Sequence, residues 1–343
     1  MIKRTVFLIL AFFLVLPGAV FASQESLATE GIVTVVDNDQ VLVEIIKDNK
    51  KQAVSVLVED SLFIEQIGLK KGDRVLVSSF DNENGQSGYY LADIIRRQSL
   101  LPLFIFFLVL VILVGGWRGI GSLLGLAVSL LIVIFFLVPQ IATGKNPVLM
   151  VILSSLFIVP LTFYLSHGIN KKTTIAIVGT VIALVFAGLL AQGALQATRL
   201  TGLVSEEAGF LQSANPGTYN LQGLLLAGII IGLLGVLDDV TVSQSAIVSQ
   251  LRSINTSIND KELFLRAMAV GKDHVSSMVN TLILVYAGAS LPLLLLFYNN
   301  PQPFLQVINY EIFTQEIVRA LIGSIGLILA IPLTTALAVK WSR

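Results

Sequence analysis

The chain has no cysteine. That absence excludes disulfides, thiolate metal sites and cysteine nucleophiles together. Histidine is nearly absent as well: only His167 and His274 occur, neither in the His-Glu-x-x-His spacing of a zinc peptidase. No Gly-x-x-x-x-Gly-Lys-Ser/Thr phosphate loop is present, so the chain is not a nucleotide hydrolase of that type. Charge is scarce. Charged residues make up 13% of 343 positions and hydrophobic ones 55%, whereas soluble domains carry about 25% charged residues. The scarcity is uneven. Residues 23–99 hold 13 acids and 8 bases, the profile of a water-soluble domain, while residues 100–343 hold 9 acids and 12 bases. The zero formal net charge is therefore a sum over unlike parts and gives no sign of a nucleic-acid partner.

The N-terminus reads as a signal peptide, residues 1–22. Lys3 and Arg4 form a basic start, Val6 to Leu16 an apolar stretch, and Val20 and Ala22 the small-residue cleavage positions, so the mature chain is expected to start at Ser23. Residues 23–98 then alternate in hydropathy over short segments: Ile32–Val36, Val41–Ile46, Ala53–Val58, Arg74–Ser79 and Tyr89–Ile95. Turn-forming runs separate them, at Asp37-Asn38-Asp39, Asp48-Asn49-Lys50, Lys70-Lys71-Gly72-Asp73 and Asp81-Asn82-Glu83-Asn84-Gly85. Five short strands in so few residues predict a small all-β domain of OB or SH3 barrel type, placed outside the cell.

Residues 99–343 are expected to form an α-helical polytopic membrane domain. Seven apolar runs can cross a core of about 30 Å: 100–116, 119–139, 147–166, 173–197, 221–240, 275–297 and 318–340. Loop charge sets the orientation. With the N-terminal domain outside, nine bases face inward (Arg118, Lys171, Lys172, Arg252, Lys261, Arg266, Lys272, Lys340 and Arg343). Five face outward, Arg96 and Arg97 included. The C-terminus is then cytoplasmic, in a bacterial cytoplasmic membrane. Gly121 with Gly125, and Gly228 with Gly232, form GxxxG pairs that allow close helix approach. Gly115, Gly116 and Gly119 bracket a tight turn between the first two spans. The segment 252–274 reads as a helix capped by Asn259 or Asp260 and ending at Gly271. Its apolar face of Leu263, Phe264, Ala267 and Met268 suits the inner membrane surface.

One constellation carries chemistry. Asp238 and Asp239 extend an unbroken apolar run, Ala227 to Leu237. Ionisable groups at membrane depth cost about 2.5–3.5 kcal/mol each on insertion scales and are functional candidates by default. On a helix Asp238 aligns with Thr241 and Ser245, and Asp239 with Ser243; Gln244 follows. Asn280 and Thr281 lie about two turns inside the next span, and Gln192 and Gln196 sit toward the opposite end of the fourth. The competing reading is that the helix leaves the membrane at Leu237 and the aspartates are solvated.

The stretch Gly232-Leu-Leu-Gly-Val-Leu-Asp-Asp-Val-Thr-Val-Ser-Gln-Ser-Ala246 and the stretch Gly271-Lys-Asp-His-Val-Ser-Ser-Met-Val-Asn-Thr-Leu-Ile-Leu-Val-Tyr-Ala-Gly-Ala-Ser-Leu-Pro292 resemble the YibE/F family of bacterial membrane proteins. Arg118-Gly119 and Gly144-Lys145-Asn146-Pro147 fit the same pattern. The resemblance implies a multispan membrane protein, often described as a transporter or efflux component, and it covers about residues 100–340. The expected function is a secondary transporter or permease. In it Asp238 and Asp239 bind a proton or cation, while Thr241, Ser243, Gln244, Ser245, Asn280 and Thr281 line the path of an unidentified small solute or ion. The alternative is a membrane-anchored sensor or assembly partner without transport activity. An enzyme is not expected. An aspartyl intramembrane protease needs aspartates on two helices, and after Gly271 the downstream Ile-x-Leu-Pro spacing of an ABC coupling motif fails. No cofactor is expected. The expected partners are the lipid bilayer and a second copy or a related YibE/F-like protein.

Overall fold

A computed structural model describes residues 28–36, 41–47, 50–56, 68–81, 87–299 and 302–342. The expected signal peptide, and the turns at 37–39, 48–49 and 82–85, lie outside the described residues. The chain divides into two compact units, one ending at Gly115 and the other starting at Gly116.

The first unit carries an antiparallel sheet of β1 (Ala28–Val36), β2 (Val41–Lys47), β3 (Lys50–Val56), β4 (Arg74–Asp81) and β5 (Ser87–Ile94), in the order β3-β2-β1-β4-β5. Alternation builds it, because successive strand residues point to opposite faces. Val41, Val43 and Ile45 are buried with Val33, Val54, Val75 and Val77, whereas Leu42 between them is exposed. The register slips between Val33 and Val35 and again between Leu76 and Val77. Such bulges bend strands, and the curled sheet brings its edge strands β3 and β5 close to each other. No ladder joins these edges among the described residues. The expected barrel is thus present as a half-barrel. Arg97 closes the unit with a two-pronged ion pair to Glu30 on β1, at 2.6 and 2.7 Å. Arg96 donates to Asp93 and holds that carboxyl below the usual carboxylate range, helped by the Ile94 N–H.

The helices begin with α1 (Arg97–Ile132), which is interrupted at Gly116, where φ is 55° and ψ is −132°. Glycine reaches this left-handed region without steric cost, so the expected turn is a one-residue break. A π-helical turn, Val133–Leu137, leads into α2 (Val138–Ala142). Then follow α3 (Pro147–His167), α4 (Lys171–Ala197), α5 (Glu206–Ala214), α6 (Leu221–Ile254), α7 (Asp260–Ala289), α8 (Leu291–Asn299), α9 (Phe304–Val307) and α10 (Glu311–Trp341). Among the described residues, five segments are long and apolar enough to cross a membrane, counting Arg97–Ala142 as one; a sixth arises if α7 and α8, bent by 61°, are one span.

Packing centres on α4, α6 and α10. Ala183, Ala187 and Ala191 present a small-residue face on α4, against which Leu226, Ile230 and Leu233 of α6 and Ile322 and Ala330 of α10 are buried. Small side chains let helix backbones approach closely. Two helices differ from the sequence-based expectation. The span expected at 221–240 runs on to Ile254 without a break, about 51 Å at 1.5 Å per residue. The separate surface helix ending at Gly271 is instead the first half of α7. Asn259 is its cap, accepting from the Glu262 N–H at 2.8 Å, but Gly271 is a buried mid-helix residue. Leu263 and Ala267 are fully buried against Val248 and Ala338, so this apolar face covers protein rather than a membrane surface.

At the other end of the bundle, Glu311 at the start of α10 accepts from Thr201 Oγ1 at 2.9 Å and from the backbone N–H groups of Thr201 and Gly202. Gly202 has a φ of +78° and faces the Leu221 carbonyl, so the loop between α4 and α5 is closely held. Hydrogen bonds to charged groups contribute about 1.5–3 kcal/mol. Glu311→Ala should therefore lower stability by roughly that amount, with Glu311→Gln recovering part of it, read as the thermal midpoint of the detergent-purified protein.

Candidate functional site

Many buried hydroxyls in the bundle bond within their own helix. Ser154, Ser155 and Thr162 of α3 donate to the carbonyls of Met150, Val151 and Ile158, one turn back, at 2.8–2.9 Å. Back-bonding of this kind needs no partner helix.

A second set works between helices. Thr241 on α6 donates to the Leu237 carbonyl at 2.9 Å, so Thr180 on α4 donates to Thr241 across 2.7 Å. Gln244 Nε2 donates to the Ala267 carbonyl of α7 at 2.9 Å, and Ser245 Oγ to the Lys172 carbonyl of α4 at 2.7 Å. Thr334 on α10, two residues after Pro332, lays its hydroxyl against Gly179, where a Cβ would overlap it. Gly271 plays the same part on α7: a Cβ would lie 2.8 Å from Gln244 Nε2 and 2.7 Å from Ile331. Thr180, Thr241, Gln244, Ser245 and Thr334 are all buried. Four helices therefore meet in one polar layer.

Asp238 stands three residues before Thr241 on α6. It is half-buried, and its Oδ1 is buried with no hydrogen-bond partner. Gln244 Oε1 and Thr334 Oγ1 share that condition. An acceptor buried without a donor keeps its full desolvation cost, about 1–3 kcal/mol and more for a charged group. Asp239, about 100° further round the helix, is exposed and lies within electrostatic reach of His167, which also feels Arg118 and Lys172. The adjacent carboxylates are thus unlike: one has an oxygen buried in the bundle and the other is exposed within reach of His167. Gly228, Gly232 and Gly235 are exposed on the same side of α6 as Asp239, leaving a stripe without side chains that ends at that carboxylate. Ser243 is half-buried.

Asn280 and Thr281 are placed differently from the layer. Both are exposed, and Thr281 Oγ1 donates to its own helix at Ser277. The buried face of α7 is formed by Leu263, Ala267, Gly271 and Leu282. Gln196 is exposed too, while half-buried Gln192 borders an apolar cavity of about 220 Å³ between α3, α4 and α6, whose other walls include Ile152, Val159, Leu184 and Gly188. Sequence reasoning missed Thr180, Thr334, Gly179 and Gly271 as parts of the layer. A signal existed in Pro332-Leu-Thr-Thr335: a proline followed by paired hydroxyls inside an apolar span. Among the described residues, no group of three His, Asp or Glu side chains gathers in a metal-binding arrangement.

Long apolar helices joined through one buried polar layer mark the chain as a membrane-embedded helical protein. A sequence model of the YibE/F-like protein family matches residues 103–343, nearly all of the helical region after the sheet. The chain belongs to that family. Neither the comparison with curated proteins nor that with solved structures finds a match.

Proposed function

We propose that the protein is a secondary transporter or permease of a cytoplasmic membrane, in which the Asp238–Asp239 pair binds a proton or a monovalent cation. The observation that carries this reading is the orphan Oδ1 of Asp238, buried beside an interhelical layer of hydroxyl and amide groups. A carboxylate oxygen with no donor is stabilised by binding a proton or a cation. The glycine stripe on α6 leaves room for an approach to Asp239, and Thr241, Gln244 and Thr334 supply polar groups further along. Such residues facing a bundle interior mark ion or proton routes.

The topology we propose has seven spans. Arg97–Ala142 is 46 residues long, about 69 Å as a helix and more than twice a core of about 30 Å. Its break at Gly116 divides it into two spans, and the bent α7–α8 pair makes one more. An odd number leaves the β domain and the C-terminus on opposite sides, with the domain outside by the loop-charge argument. The electrostatic proximity of Arg118, His167 and Lys172 supports this assignment, since the seven-span order puts all three at the inner end.

A second reading, an assembly partner, is favoured by the exposed Ser277, Asn280 and Thr281 in an otherwise apolar stretch of α7. Polar groups in hydrocarbon draw helices together, so a second copy or a related chain could cover them. The two readings separate in proteoliposomes. Gradient-dependent flux of an ion or small solute that disappears in Asp238→Asn supports the transporter. Equal flux in wild type and variant rejects the carboxylate mechanism and leaves assembly as the role.

A further inference from the structure

The end of the bundle where α4 begins and α6 and α10 finish holds a cavity of about 140 Å³, which Ser245 of the polar layer borders. Lys171, Lys172, Arg252 and Trp341 line it, and Val248 and Ala338 form buried apolar parts of its wall. Ser249 adds a hydroxyl. The three cations have unlike duties. Arg252 is committed: it donates to the Ile258 carbonyl at 2.6 Å and pairs with Asp260 at 2.7 Å. Lys171 and Lys172 are exposed and have no acidic partner among the described residues. Ser245 holds the Lys172 carbonyl at 2.7 Å, and Asn170 caps the helix through the Thr173 N–H at 3.0 Å. The lysine stems thus start from a fixed backbone. The helix is 27 residues long, and its first turn adds a partial positive charge at the same place.

We infer that this cavity is a binding site for a phosphate-bearing anion, and that its occupant is the headgroup of an anionic membrane lipid. The two free lysines supply the charge, and Arg252, neutralised by Asp260, gives shape and a planar wall. The apolar wall and the half-exposed Trp341 suit an amphiphile better than a free ion. Tryptophan sits at headgroup level in membrane proteins, and basic pockets between helices hold lipid phosphates. Because the site joins the start of α4 to the ends of α6 and α10, the same helices that build the polar layer, an occupant would clamp that layer from one side. The inference does not depend on transport.

The test is native mass spectrometry of the full chain released from detergent after exposure to phosphatidylglycerol or to phosphatidylcholine. Wild type should retain phosphatidylglycerol preferentially. Lys171→Gln/Lys172→Gln should weaken that retention roughly ten- to thirtyfold, whereas Lys171→Arg/Lys172→Arg should keep it. Lys145→Gln, in the loop between α2 and α3, should also leave it unchanged. A parallel arm measures the thermal midpoint with inorganic phosphate alone. No shift assigns the site to the lipid. A shift that the double glutamine variant loses keeps the anion site but assigns it to a soluble phosphate compound. Equal retention of the two lipids by wild type, or unaltered phosphatidylglycerol retention by the folded glutamine variant, overturns the inference.

Discussion

Asp238→Asn should abolish gradient-driven flux and at the same time make the folded protein more stable. The two effects share one cause. Asp238 Oδ1 is buried without a donor, so the empty carboxylate is held at a cost that an amide, which carries no charge, partly avoids. The amide leaves that buried atom still without a partner and removes only the charge's extra share of the desolvation cost, so a rise in thermal stability of about 1 kcal/mol is expected. Function sites commonly store such a penalty, and removing it trades activity for stability. Asp239→Asn is the internal comparison. Its carboxylate is exposed within electrostatic reach of His167, so the change should alter stability by less than about 0.5 kcal/mol, the usual range at surface positions. The measurement pairs flux in proteoliposomes with a thermal melt in detergent. Lost flux with a raised midpoint identifies a working carboxylate. Lost flux with a lowered midpoint would mean that Asp238 is a structural anchor, and the transport mechanism through it would fall.

The helix and strand segments were legible because their patterns are local. Alternation in Val41-Leu42-Val43-Glu44-Ile45 places three residues on one face whatever lies around them, and all three are buried. The curl of the sheet was not legible, since it comes from register slips at Val33/Val35 and Leu76/Val77 that depend on the partner strand. The same division holds at the site. Asp238, Thr241, Gln244 and Ser245 stood out as polar groups continuing an apolar run. Thr180 and Thr334 did not, because a threonine in a membrane helix usually bonds its own preceding turn, as Thr162 does here. Gly271 was read as a helix end, the commonest meaning of glycine after an apolar helical run. Its use for close approach to Gln244 and Ile331 becomes visible only in three dimensions. The same glycine also fixes where Asn280 lies on α7. Once Gly271 and Leu282 define the buried face of α7, Asn280, nine positions beyond Gly271, falls two and a half turns on at about 100° per residue and lies on the opposite side.

Gly121→Ala should be strongly destabilising, and Gly228→Ala close to harmless, although both positions belong to GxxxG pairs. A Cβ at Gly121 would overlap the Leu165 carbonyl oxygen and come within 3.1 Å of its carbon and 3.2 Å of Ser166 Cα. All three are backbone atoms near the end of α3, so no rotamer change relieves the clash and the helices must part. Gly125, one turn on, meets Thr162 Cα at 3.3 Å and fixes the same crossing. Overpacking costs about 1–3 kcal/mol, and a backbone-on-backbone contact belongs at the upper end, about 3 kcal/mol. At Gly228 a Cβ meets nothing within 4 Å, and at Gly232 the nearest atom is Tyr286 Oη at 3.7 Å. There alanine gains the helix propensity that glycine lacks, up to about 1 kcal/mol. Reversible unfolding in mixed detergent micelles would give both values. The contrast carries a second consequence, because the open stripe from Gly228 to Gly235 ends at Asp239 while the Gly121 seam is already filled. If Gly228→Leu leaves stability intact but stops flux, the stripe serves as the approach to the carboxylates. If it instead dissociates an oligomer, the stripe is where another helix docks, and the assembly reading gains at the transporter's expense.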